Sequence, residues 1–86
     1  MNEAKTKIIN NLCYTEAVYY RINKKLNTDY SIIEIESKLL AILKETNIEH
    51  YKKKGKNYYI SNSKNNIRIT INSNTFRVIT VDRLNK

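Results

Sequence analysis

Ile67-Arg68-Ile69-Thr70-Ile71-Asn72 alternates isoleucine with a polar or charged residue three times in succession. A strand sends successive side chains to opposite faces, so this hexamer has one apolar face to bury and one polar face to leave in water. A helix, with its period of 3.6, cannot separate the two sets at that spacing. On either side of it, Ser63-Lys64-Asn65-Asn66 and Asn72-Ser73-Asn74-Thr75 read as turns, and Asn tolerates the positive φ such turns often need. Asn57 to Asn62, centred on Tyr58-Tyr59-Ile60, reads as the preceding strand, entered through a turn at Gly55-Lys56 that holds the only Gly. Before it, Ile48 to Lys54 is a polar, lysine-loaded stretch. The last strand spans Phe76 to Leu84. Val78, Ile79 and Val81 put apolar groups on both its faces, which asks for a central, covered or paired position.

Upstream of Asn47 the period is near 3.6. Ile8, Ile9 and Leu12 share a face, and Thr15 can cap a second segment in which Val18, Ile22 and Leu26 recur every four residues. Cys13-Tyr14 either separates these segments or bends one helix. Ser31-Ile32-Ile33-Glu34 has the form of a capping box, with Tyr30 and Ile35 placed as its hydrophobic staple. From there Ile32, Ile35, Leu39, Ile42 and Leu43 form an apolar stripe. The expected architecture is α+β: two or three N-terminal helices packed on one face of a C-terminal antiparallel meander of three or four strands. The Ile67/Ile69/Ile71 face should meet the Ile35/Leu39/Ile42 stripe. Arg68, with Arg77 or Arg83 if the register permits, should project from the other face.

The 86 residues suit one domain, 1–86, with a helical half (1–46) and a basic sheet half (47–86). A single Cys and a single His allow neither an internal disulfide nor a Cys/His zinc site, and no cofactor motif is present. Without an 18-residue apolar run or a secretory h-region, the expectation is a soluble, cytoplasmic protein with no membrane partner. Lys, Asn and Ile dominate as an AT-rich coding sequence would make them. That bias does not explain where the charge lies. Residues 1–46 carry seven Lys/Arg against six Asp/Glu, whereas residues 47–86 carry nine against two. Concentrated positive charge bears on partners and solubility, not on fold.

The segments Cys13-Tyr14-Thr15 with Tyr19, Arg21-Ile22-Asn23-Lys24-Lys25-Leu26, Gly55-Lys56-Asn57-Tyr58-Tyr59-Ile60, Ile67 to Asn72 and Thr75 to Thr80 resemble the bacterial family called domain of unknown function 3781. The resemblance spans most of the chain and implies no catalytic residue at any position. In layout alone the chain is also similar to small microbial ribonuclease toxins of the barnase and RelE groups, and layout does not carry function.

Lys52, Lys53, Lys54 and Lys56 beside Tyr58 and Tyr59 combine phosphate-neutralising charge with flat aromatic faces. Arg68, Arg77 and Arg83 add planar forks that grip phosphate bidentately. The bland alternatives are an edge strand protected by lysines and a tyrosine pair of which alternation buries one. His50, with Glu49 and Arg68, is a weak candidate for deprotonating a ribose hydroxyl. Asp82 reads as an ion-pair partner of Arg83, Arg77 or a neighbouring-strand cation. Cys13 reads as a small side chain near a helix junction. The leading expectation is a non-catalytic binder of a phosphate-rich ligand, RNA or nucleotide. A second is a phage or mobile-element inhibitor, anti-CRISPR-like, that blocks a host nucleic-acid-handling defence complex. A third is a metal-independent ribonuclease toxin. If Phe76 to Val81 is an uncovered edge, a homodimer by continuous sheet is expected as well.

Overall fold

In the computed structural model, which describes residues 3–85, three helices precede four strands. They are α1 (Glu3–Asn11), α2 (Glu16–Leu26), α3 (Ile32–Glu45), a 3-10 turn at Ile48–His50, β1 (Tyr51–Lys54), β2 (Asn57–Asn62), β3 (Ile67–Asn72) and β4 (Val78–Arg83). The strands make one antiparallel sheet in the order β1-β2-β3-β4, the meander expected from the short Gly and Asn turns. In β3, Ile67, Ile69 and Ile71 are buried while Arg68 is exposed, as the alternation requires. They join Ile60, Val78 and Val81 of the sheet and Ile8, Val18, Ile22, Ile35, Leu39 and Leu43 of the helices in one apolar cluster.

The capping box forms at α3: the Glu34 amide donates to Ser31 Oγ at 3.2 Å and the Ser31 amide to Glu34 Oε1 at 2.8 Å. These bonds hold the Glu34 carboxyl below its usual pKa. The far end of α3 is tied to the sheet. Lys5 Nζ donates to the carbonyls of Lys44 and Thr46, placing a cation where a helix leaves its last carbonyls unpaired. Asn62, buried on β2, donates to Thr46 Oγ1 at 2.8 Å and Glu45 Oε2 at 3.0 Å. Tyr51 of β1 donates its phenol to the Leu43 carbonyl at 2.6 Å. Each of these groups would cost folding energy if buried without its partner.

Cys13-Tyr14 separates two helices rather than bending one. The Cys13 amide donates to the Phe76 carbonyl and its carbonyl accepts from the Val78 amide, a parallel bridge opposite Arg77. From this bridge α2 runs alongside β4. The Arg21 guanidinium donates to the Ile79 carbonyl at 3.1 Å, and the Arg83 guanidinium donates back to the Leu26 carbonyl at 3.2 Å. The outer edge of β4 is hydrogen-bonded by Cys13 and Arg21 over residues 76–79. The free edge is β1, whose lysines match the edge-protection reading.

Three local expectations are corrected. Spacing puts Ile32 in the buried stripe, yet it is 53% exposed as the first residue of α3, and the buried stripe begins at Ile35. The last strand starts at Val78 rather than Phe76, since Phe76 has φ +61° and leaves the extended region. In that third turn Phe76, not an Asn, takes the left-handed conformation. Asn72 instead caps the turn by accepting from the amides of Asn74 and Thr75. Thr15 does stand at the cap position of α2, as its place before the second apolar stripe predicts, though without a side-chain hydrogen bond.

Burial raises the Tyr51 phenol to about 12, against an ordinary value of about 10. A group whose folded value lies above its unfolded one contributes stability that is whole below the unfolded value and is lost as pH climbs through the folded one. Stability should therefore fall between roughly pH 10 and 12. Tyr51→Phe should cost about 1 kcal/mol in urea unfolding at pH 7 and flatten part of that alkaline decline. An unchanged alkaline decline would assign it to other groups.

Candidate nucleic-acid interface

Register fixes what the second face of the sheet carries. Tyr59 lies opposite Lys52 on β1 and Thr70 on β3, and Thr70 lies opposite Thr80 on β4. One row toward the Gly55 turn are Lys54, Asn57 and Asn72, and one row the other way are Ser61, Arg68 and Asp82. All of these alternate with the buried Tyr51, Ile60, Ile69 and Val81, so they point away from the helices. Arg77 precedes buried Val78, and its carbonyl accepts from the Asn72 amide, which puts it on this side beyond Asn72. Lys52, Lys54, Arg68 and Arg77 are exposed, and no carboxylate ion-pairs with any of them among the described residues. Thr70, at the centre, is only 4% exposed because the longer side chains around it shield it.

Tyr59 is half-buried, and with Lys54, Gly55 and Arg68 it lines one shallow depression. Lys54 and Arg68 stand two residues to either side of its row, or about 7 Å along the strand direction. Gly55 has φ +63° with open space where a Cβ would lie, so its role is the turn conformation and not a close approach.

The other candidates part company. Lys53 shares its side of the sheet with Tyr58, its register partner, which packs against the core. Lys56 lies in the exposed turn. Arg83 pairs with buried Ile67 and turns to the end of α2, so it does not join Arg68. The cause is a register shift in β4: Val78 opposes Ile71 and Thr80 opposes Thr70, which leaves Ile79 as an extra residue. His50 is exposed, 3.5 Å from the Glu49 carboxylate. It lines a cleft of about 290 Å³ with Glu45, Asn62, Lys64 and Ser61. The cleft lies between the end of α3 and the turn after β2, and among its lining residues Ser61, the register partner of Arg68, belongs to the open face.

Sequence reasoning missed the contribution of α2. Asp82, the one carboxylate on the open face among the described residues, pairs with Lys25 Nζ at 2.9 Å, a helical cation in place of the expected Arg83, Arg77 or neighbouring-strand cation. Lys25 and Arg21 are one turn apart and border the face beyond β4, with exposed Lys24 next to them. The near balance of charge in residues 1–46 concealed this, because the balance is a sum over all faces of the helices. Cys13 is a half-buried free thiol at the helix junction, with Sγ 3.3 Å from the Thr75 carbonyl. Tyr14 and Tyr19 stack at 5.3 Å, and Tyr19 donates to Glu36 at 2.6 Å, which places them on the helical side and outside this face.

A family model described as "Protein of unknown function (DUF3781)" matches residues 6–82. No curated protein and no solved structure matches the chain. Among the described residues no helix is long and apolar enough to cross a membrane, and no group of His, Cys, Asp or Glu could hold a metal ion.

Since the open-face cations make no intramolecular ion pair, they should be dispensable for folding. Lys52→Ala, Lys54→Ala and Arg68→Ala should each change unfolding free energy by no more than about 0.5 kcal/mol. Losses several times larger would make these residues structural.

Proposed function

The chain belongs to the DUF3781 family, and from that premise we propose that it is a non-catalytic binding protein whose open sheet face engages a phosphate-rich ligand, RNA or nucleotide. The observation that carries this reading is the placement of Lys52, Lys54 and Arg68 around Tyr59, with Arg77 farther along the same face, without carboxylate partners among the described residues. Leaving four cations unpaired on one side produces a field that an intramolecular ion pair would cancel, and it raises the local concentration of anions. Tyr59 adds a flat surface on which a base can stack. Lys53, Lys56, Tyr58 and Arg83 take outer or structural places in this reading, and His50 lies in the cleft beside Ser61.

A second reading, a protein that binds and blocks a nucleic-acid-handling complex, draws on Tyr20, Ile32 and Ile33, which are 73%, 53% and 75% exposed. Exposed aromatic and aliphatic side chains of this kind serve as anchors at protein interfaces. Recovery of a protein partner after nuclease treatment, lost in Tyr20→Ala but kept in Arg68→Ala, would favour it.

Binding by the open face should be steeply salt-dependent. For about four phosphate contacts to a single strand, affinity should fall roughly fifty-fold between about 50 and 200 mM salt, and Arg68→Ala should reduce the slope of log K against log salt by about 0.7. Fluorescence anisotropy with labelled oligonucleotides measures both. An affinity indifferent to salt would overturn the reading.

A further inference from the structure

Resting on the binding role above, we propose that the ligand is single-stranded RNA that crosses the sheet from the β1 edge to α2, with one base on Tyr59 and its backbone continuing to Arg21 and Lys24. Three observations carry this. First, Tyr59 sits between Lys54 and Arg68 in a shared depression, so a base on its ring would have cations on both sides where the flanking phosphates lie. Second, the positive surface does not end at the sheet. Lys25 neutralises Asp82, the only acid on the face among the described residues, and Arg21 has one N–H on the Ile79 carbonyl while its other donors make no hydrogen bond among the described residues. Lys24 makes no hydrogen bond or ion pair among the described residues.

Third, the distances exceed what a mononucleotide spans. Three inter-strand spacings of about 4.8 Å separate β1 from β4, and α2 lies beyond β4. A ligand that uses both ends must be a chain, with a footprint on the order of four nucleotides. A duplex would hold its bases stacked on one another and out of reach of a ring set in a sheet surface. An unpaired strand can turn a base out onto it. RNA is favoured over DNA because Ser61, the register partner of Arg68 and two residues from Tyr59, presents a hydroxyl that can both donate to and accept from a 2′-hydroxyl.

Anisotropy titrations with uridine monophosphate as competitor and labelled oligouridylates of two, four and eight residues, set against oligothymidylate and duplex RNA, test this at low salt. Affinity should rise with length and level off near four residues. Lys24→Glu should weaken the octamer about tenfold and leave the dimer unchanged, whereas Lys7→Glu on α1 should affect neither. Tyr59→Ala should weaken every length about tenfold and Tyr59→Phe should restore it, since the ring and not the hydroxyl stacks. The inference is overturned if uridine monophosphate competes as well as the octamer, if duplex RNA or oligothymidylate binds equally, or if Lys24→Glu leaves the octamer unaffected. The underlying binding role fails by a different result: no oligonucleotide or nucleotide binds, or Arg68→Ala and Lys52→Ala change nothing.

Discussion

Three short helices can cover one face of a four-stranded sheet and no more. That constraint decides most of what this molecule is. The covered face must be apolar enough to hold the chain together, and β2, β3 and, around its bulge, β4 give alternate positions to it, with Ile60, Ile69 and Val81 wholly buried. The uncovered face must be compatible with water, so most of the intervening positions carry weaker packing demands. They can hold lysine, arginine, threonine and tyrosine. The open surface is thus a by-product of small size, and its charge is a separate choice laid over it.

Much of the architecture was legible because it rests on local rules. The bounds of β2 and β3 come from alternation between Asn and Gly turns, and the capping box marks the start of α3 to the residue. The features that escaped depend on tertiary placement. Periodicity says that α2 buries Val18 and Ile22 but not that it lies along the edge of β4, so the proximity of Lys25 to Asp82 had no sequence signal. Alternation places Arg68 correctly. It misplaces Arg83, because one extra residue at Ile79 reverses the parity of the later strand positions relative to the earlier ones, and a bulge leaves no reliable mark in composition. The left-handed Phe76 is hidden for a similar reason: the Cys13 bridge and the Asn72 cap hold it there, and both are distant or side-chain effects.

The polar groups divide between two tasks. Around the end of α3, Lys5, Glu45, Thr46 and Asn62 consume one another's hydrogen bonds and join helix to sheet. On the far side of the sheet Lys52, Lys54 and Arg77 keep their charge uncompensated by any carboxylate among the described residues. The contrast is more informative than the net charge, which counts both groups alike. A cation engaged with a helix terminus stabilises the fold, and a cation in open water costs little and offers an interaction to something else.

The bridge between Cys13 and the residues on either side of Arg77 joins two ends of the chain that leave the ribosome far apart in time. The helix after Cys13 has its lateral support only once β4 exists. A contact between residues so far apart in sequence carries a large loop-closure cost, and that cost falls on docking α2 against β4.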